Sequence, residues 1–323
     1  MQRSSDVEYF PFRDCSSNPA RHTSQKSDIL DAPRFSPHRH EFLSVFFRCC
    51  GAFFLLALNP SLMVAGIPQG APDIQVHGNG FGQVSPADIT AVLQSAALSI
   101  LRYCPHTQLG GIDIYYRPDH PQIALARTSK GRIPIALSAR DTRWAQYSFQ
   151  LGHELCHALA NYANRPGQSA PRPGSANLWL EESLCETASL FTLRAMSRSW
   201  STAPLYPAWR NYAPWFDTYV KQRLQLPGYQ LPAGTSFRTW FEQNEPGLRQ
   251  NPGLRNQNTV IATQLLPMFE ATPEGWETVA FINRDSSDSN ESLLRHFTEW
   301  RAACPNNLRP FVTRLASVFS VKL

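Results

Sequence analysis

His153-Glu154-Leu155-Cys156-His157 gathers two imidazoles and a carboxylate within five residues. Residues four apart on a helix share a face one turn from each other, so each ring can turn a nitrogen toward the same point. A zinc ion held at ~2.0 to 2.1 Å from each nitrogen is what such a pair binds. Glu154 then stands beside the open side of the ion, where a carboxylate can accept a proton from water acidified by the metal. The chemistry expected of these three side chains is metal-assisted hydrolysis, with Glu154 as general base.

A catalytic zinc needs a third protein ligand. The metzincin continuation is missing, because Ala160 and Ala163 stand where a glycine and a third histidine would follow. The next acids are Glu181, Glu182 and Glu186. Glu182 and Glu186 are four apart and share a face, so one can bind the metal while the other accepts the second N–H of a ligand histidine. Glu181 stays open as a ligand in place of Glu182.

These side chains need two helices to hold them. The stripe Tyr147, Leu151, Leu155, Leu159 and Tyr162 predicts a helix from 141 or 142, with Asp141 or Thr142 as N-cap, to about 162. Its other face carries Gln146, Gln150, His153 and His157. A loop over 164–176 precedes a second helix from about Leu178. Upstream, 74–76 is strand-like, and Ser85-Pro86 with Asp88 opens a helix to about 102. β-rich runs then follow at 111–116, 122–128 and 132–139. Beyond 178 the pattern is mainly helical, with breaks around 204–214, 227–234 and 251–253. The fold class expected is α+β, a small mixed sheet subdomain over 67–140 packed on a mainly helical zinc-binding subdomain over 141–323, after an extension at 1–66.

Trp179-Leu180-Glu181-Glu182-Ser183, placed after the His-Glu-x-x-His helix, resembles the gluzincin metallopeptidases, the superfamily of thermolysin and the aminopeptidase N type enzymes. Those carry the ligand glutamate on the next helix, often within Trp-Leu-x-Glu-Gly. The resemblance covers about 132–196. It implies that His153, His157 and Glu182 bind zinc, that Glu154 is the base and proton donor, and that Glu186 steadies a histidine. It also implies that the strand at 132–139 is the sheet edge lining the substrate cleft. The aminopeptidase Gly-x-Met-Glu-Asn motif is absent, and Asn256 falls where the oxyanion-stabilising tyrosine is expected. Arg255, Tyr206 and His296 are other donors for that position, whereas His77, His106 and His120 lie in turn-like contexts and read as solvated. The activity implied is zinc-dependent hydrolysis of a peptide or protein substrate. The alternative is a catalytically silent, zinc-stabilised protein that binds or assembles in the cell envelope.

Thirty basic against 25 acidic residues give a net charge of +5 with no long Lys/Arg run, which argues against nucleic acid as a partner. The apolar stretch 42–66 is broken by Arg48 and Asn59-Pro60. Its uninterrupted part, 49–58, is shorter than the ~20 residues of a membrane span. With Val64-Ala65-Gly66 behind it, the stretch reads as a signal peptide, and export is expected, with membrane attachment through this segment as the alternative. Residues 1–41 are polar and proline-punctuated, and initiation at Leu43 or Val45 would leave an ordinary signal peptide. Four cysteines follow that segment, enough for disulfides pairing Cys156 with Cys185 and Cys104 with Cys304.

Overall fold

The computed structural model describes residues 71–124, 126–160, 176–283 and 290–323. The expectations for the amino-terminal segment, for Tyr162 and for nearly all of the 164–176 loop lie outside the described residues. Strand β1 (Ile74–His77) leads into helix α1 (Pro86–Leu101) and back to β2 (Ile112–Tyr116), which lies parallel to β1. The Ser85 side chain caps α1 by accepting from the Asp88 amide at 3.0 Å, and Pro86 fills the first turn, where its missing N–H has no intrahelical acceptor to lose.

Strand β4 (Ile133–Leu137) pairs parallel with β2 on one side and antiparallel with β3 (Gln122–Ile123) on the other, giving a mixed four-stranded sheet of order β1-β2-β4-β3. Ile112, Ile114, Ile133 and Ile135 are fully buried, as residues of central strands are. The expectation that 132–139 forms the sheet edge is therefore corrected: β4 is internal, and the edges are β1 and β3. The run at 122–128 pairs as a regular strand over only two residues. Chain reversal through 128–132 then takes over, where the Thr128 amide donates to Arg132 O and the Gly131 amide to Thr128 O.

Helices α2 (Trp144–Leu159) and α3 (Leu178–Thr202) carry the candidate site. Asp141 does not cap α2. It sits at φ 54°, and its carboxylate accepts from the Gln83 amide at 2.8 Å. The first turn of α2 is held by the buried Tyr212, whose hydroxyl accepts from the Ala145 amide at 3.1 Å. Gln150 fixes α2 to the sheet, since its carbonyl oxygen accepts from the amides of Ser138 and Ala139, both at 3.0 Å, just past the end of β4. Helices α4 (Ala213–Gln225), α5 (Phe237–Gln250) and α6 (Arg255–Ala271) pack against α3, and α7 (Leu293–Ala303) and α8 (Arg309–Val318) pack against each other. The result is an α+β chain with a small mixed sheet and a predominantly helical remainder, and its buried apolar residues form one cluster from Ile74 to Phe319. Among the described residues no helix is long and apolar enough to cross a membrane.

Candidate metal centre

Helix α2 brings His153 and His157 to one face, with ring centroids 5.0 Å apart, close to the ~5.4 Å pitch of an α-helix. Along 151–160 every residue except His153 is buried, and along 181–190 every residue except Glu182. The pair of helices therefore opens to solvent where these two side chains meet.

Glu182 Oε2 lies 3.6 Å from His153 Nε2 and 3.5 Å from His157 Nε2. Two ligand atoms at a tetrahedral angle and ~2.1 Å from a zinc ion stand ~3.4 Å apart. Each of these two spacings is close to such an edge. The remaining ring nitrogens face carboxylates. His157 Nδ1 is 2.7 Å from Glu181 Oε1, and Glu181 Oε2 accepts from Asn283 Nδ2 at 2.6 Å. His153 Nδ1 stands 3.8 Å from Glu186 Oε1 and is a buried nitrogen without a hydrogen bond. Placing the Nδ1 proton toward a carboxylate leaves each Nε2 lone pair to a metal, which is the arrangement that orients ligand histidines.

Glu154 is 4% exposed and lies between the helix pair and the sheet. In the antiparallel pairing the Ala124 amide donates inward to Pro134 O at 2.9 Å, so the neighbouring Ile123 amide points out of the sheet edge, toward the Glu154 carboxylate. Burial raises the Glu154 carboxyl above its ordinary range, although His153 and His157 oppose this. For His157 burial alone would favour the neutral ring, but the Glu182 and Glu181 carboxylates outweigh it and hold the imidazolium well above its usual range. Glu182 is the counterpart. Burial would raise its carboxyl, and the two histidines carry it well below instead.

Four carboxylates (Glu154, Glu181, Glu182 and Glu186) thus surround two imidazoles, with Arg255 and Arg223 offsetting the charge of Glu186. A second donor set shares the histidines: the Cys185 thiol lies with them in a group whose ligand atoms are all within 4.8 Å of one another. Cys185 is fully buried near Cys156, and burial pushes its ionisation well above the ordinary range. A thiol must lose its proton to bind zinc, whereas the histidines hold the Glu182 carboxyl well below its usual range, so Glu182 and Cys185 are alternative third donors. Cys104, Cys156, Cys185 and Cys304 are all buried thiols, and neither disulfide pair forms.

Glu186 is 2% exposed on its side chain and is held by Arg255 Nε at 3.1 Å and by the Tyr229 hydroxyl, which donates to Oε2 at 3.4 Å. Burial would raise its carboxyl, but Arg255, then His153 and Arg223, lower it. Of the oxyanion donors considered from sequence, only Arg255 reaches this neighbourhood. His296 is buried against Glu291 at 2.9 Å, and Tyr206 packs edge-on against Trp209. Asn256 is exposed. His106 is paired with Glu277 and His77 with Asp113, so neither is merely solvated. Glu181 as the partner of His157, and Asn283, Tyr229 and Arg223 around the acids, are contributions that spacing did not reveal. Comparison of the chain with protein-family models, curated proteins and solved structures gives no match.

Proposed function

We propose that this chain is a zinc-dependent hydrolase of peptide bonds, of the gluzincin type that its two motifs resemble. The observation that carries the proposal is the convergence of both histidine Nε2 atoms on one Glu182 oxygen at tetrahedral-edge spacing, with Glu154 on the adjoining side. His153, His157 and Glu182 would hold the ion. Bound there, zinc supplies a water of pKa lowered from ~15.7 toward ~7 and polarises a carbonyl oxygen.

The chain's own residues supply the rest. Glu154 accepts the water proton on its carboxylate and returns it to the leaving amine. Its burial suits both halves of that cycle, because a carboxyl raised toward neutrality keeps the proton long enough to donate it. Glu181 keeps the Nδ1 proton of His157 directed away from the ion, and Glu186 faces His153 Nδ1 at 3.8 Å, beyond hydrogen-bond length. The edge strand β3 borders Glu154 through Ile123, so an extended peptide added along that edge would lie across the base. Export through the segment at 42–66 belongs to the same proposal, with peptides outside the cytoplasm as substrates.

A second reading, a silent zinc-stabilised envelope protein for binding or assembly, is favoured by the exposed Asn256 in the place of a tyrosine. One substitution separates the two readings. Glu154→Gln keeps size and hydrogen-bonding reach but removes the base. Under the hydrolase reading the variant retains one zinc per chain and loses ~10² to 10⁴ of peptide cleavage. Equal cleavage by both proteins would dismiss Glu154 as the base. Zinc retained by both with no cleavage across a broad peptide library would favour the silent protein.

A further inference from the structure

Beside the metal site stands a wall whose charge the hydrolytic chemistry does not use. Arg255, at the start of α6, places Nε 3.1 Å from Glu186 Oε1, the same oxygen that faces His153 Nδ1. One carboxylate oxygen thus separates this guanidinium from a candidate ligand histidine. The Arg255 side chain is 59% exposed, and its two terminal amino groups have no hydrogen bond among the described residues. A guanidinium offers two donor edges. Glu186 takes the Nε side, which leaves the outer Nη pair available as a fork.

Arg223 lies behind it on α4. Its guanidinium carbon is 4.2 Å from the centre of the Phe149 ring and within 5.7 Å of the centres of Tyr219 and Tyr229. Its Nε is buried without a hydrogen bond, and no carboxylate pairs with it among the described residues. It acts on Glu186 through its charge alone. Two guanidinium groups and the Tyr229 hydroxyl therefore share one carboxylate, and this side of the cleft keeps an excess positive charge. Arg255 is also within electrostatic reach of Glu154, so the excess is felt at the base.

We propose that the free fork of Arg255, backed by Arg223 and Tyr229, is a recognition site for a carboxylate on the peptide, so that the substrates are peptides with an acidic side chain or a free carboxyl terminus next to the bond that is cut. Planar bidentate pairing is what a guanidinium does best, and a carboxylate is the anion a peptide itself supplies. The inference rests on the hydrolase reading for its ligand class, so the test separates the two.

Binding is measured calorimetrically on the full chain loaded with zinc and carrying Glu154→Gln, so that peptides are not consumed. The probes are acetylated alanine pentapeptides: one with a free carboxyl terminus, its amide, and amides with a single Glu or a single Gln at each position. One carboxylate-bearing probe should bind ~10-fold or more tightly than its amide or Gln counterpart, and which one it is identifies the source of the carboxylate. Arg255→Gln should bring that pair within about twofold. Arg255→Lys keeps a charge on Glu186 and so preserves the metal site, but it lacks the fork and should retain only a few-fold preference. Zinc content of both variants reports separately on the metal site. Absence of peptide binding, equal binding of each pair, or a preference that survives in both Arg255 variants overturns the proposal. Digestion of the same probes by the wild type is read independently. A carboxylate preference without cleavage removes the hydrolase reading and leaves the recognition site standing, whereas cleavage of acid and amide probes at equal kcat/KM does the reverse.

Discussion

Glu181 and Glu182 differ by one position and therefore by ~100° around α3, which sends one carboxylate to Nδ1 of His157 and the other to Nε2. Under the proposed function two residues of one type thus have opposite tasks, Glu182 as a ligand and Glu181 as the partner of a ligand histidine. Elemental analysis of purified variants tests this division. His153→Ala, His157→Ala and Glu182→Gln are expected to lose the single zinc. Glu181→Gln and Glu186→Gln should keep the site with affinity lower by ~10 to 100-fold. Cys185→Ser should bind zinc as the wild type does. An empty Cys185→Ser beside a full Glu182→Gln would transfer the third ligand to the thiol. The His-Glu-x-x-His spacing was legible because both histidines and the base are set by one helix period. Asn283 and Tyr229 were not, since they meet their acids across 102 and 43 residues of sequence and no local pattern marks them.

Helix α2 can hold its histidines against the α3 acids only because the two helices touch closely at Gly152. A Cβ built there would lie 2.9 Å from Thr192 Oγ1 and 3.1 Å from both Ala188 O and Ser189 Cα, two of them backbone atoms that cannot swing away. The Ser189 hydroxyl also donates across the contact to Phe149 O at 2.9 Å. Gly152→Ala would gain up to ~1 kcal/mol of helix propensity. Separating the helices costs about 1 to 3 kcal/mol, and His153 is the next residue. We expect a lower urea midpoint together with weaker zinc binding. A variant with raised stability and unchanged zinc affinity would show that the contact has slack. Apolar periodicity located both helices, because that pattern follows directly from burial. It placed the start of α2 at Asp141 or Thr142, and the structure begins it at Trp144, because the Asp141 carboxylate serves the Gln83 turn instead. That β4 is internal is likewise not legible from sequence, because a strand's neighbours are long-range facts that its own alternation does not encode.

Across the whole molecule, the helix that supplies the acids is anchored from elements far along the chain. Asn177, at the start of α3, donates from Nδ2 to Glu291 O at 3.0 Å, and Arg249 at the end of α5 bonds both Asn177 Oδ1 at 3.1 Å and Glu291 O at 3.0 Å. Glu291, just ahead of α7, faces His296 Nδ1 at 2.9 Å, and both side chains are buried. Burial by itself would raise the Glu291 carboxyl, but His296 and the Asn177 amide outweigh it and hold it below the ordinary range. The folded chain therefore binds fewer protons at this site than the unfolded chain does between the two pKa values, and stability there rises with pH. The contribution is complete above the unfolded value of ~4.3 and is lost as pH falls through the lower folded value. Glu291→Gln should cost about 1 to 3 kcal/mol at pH 7. The difference from the wild type should narrow as urea midpoints are followed from pH 5 to pH 3. A gap that stays constant over that range would mean that Glu291 anchors α3 by shape and not by its charge.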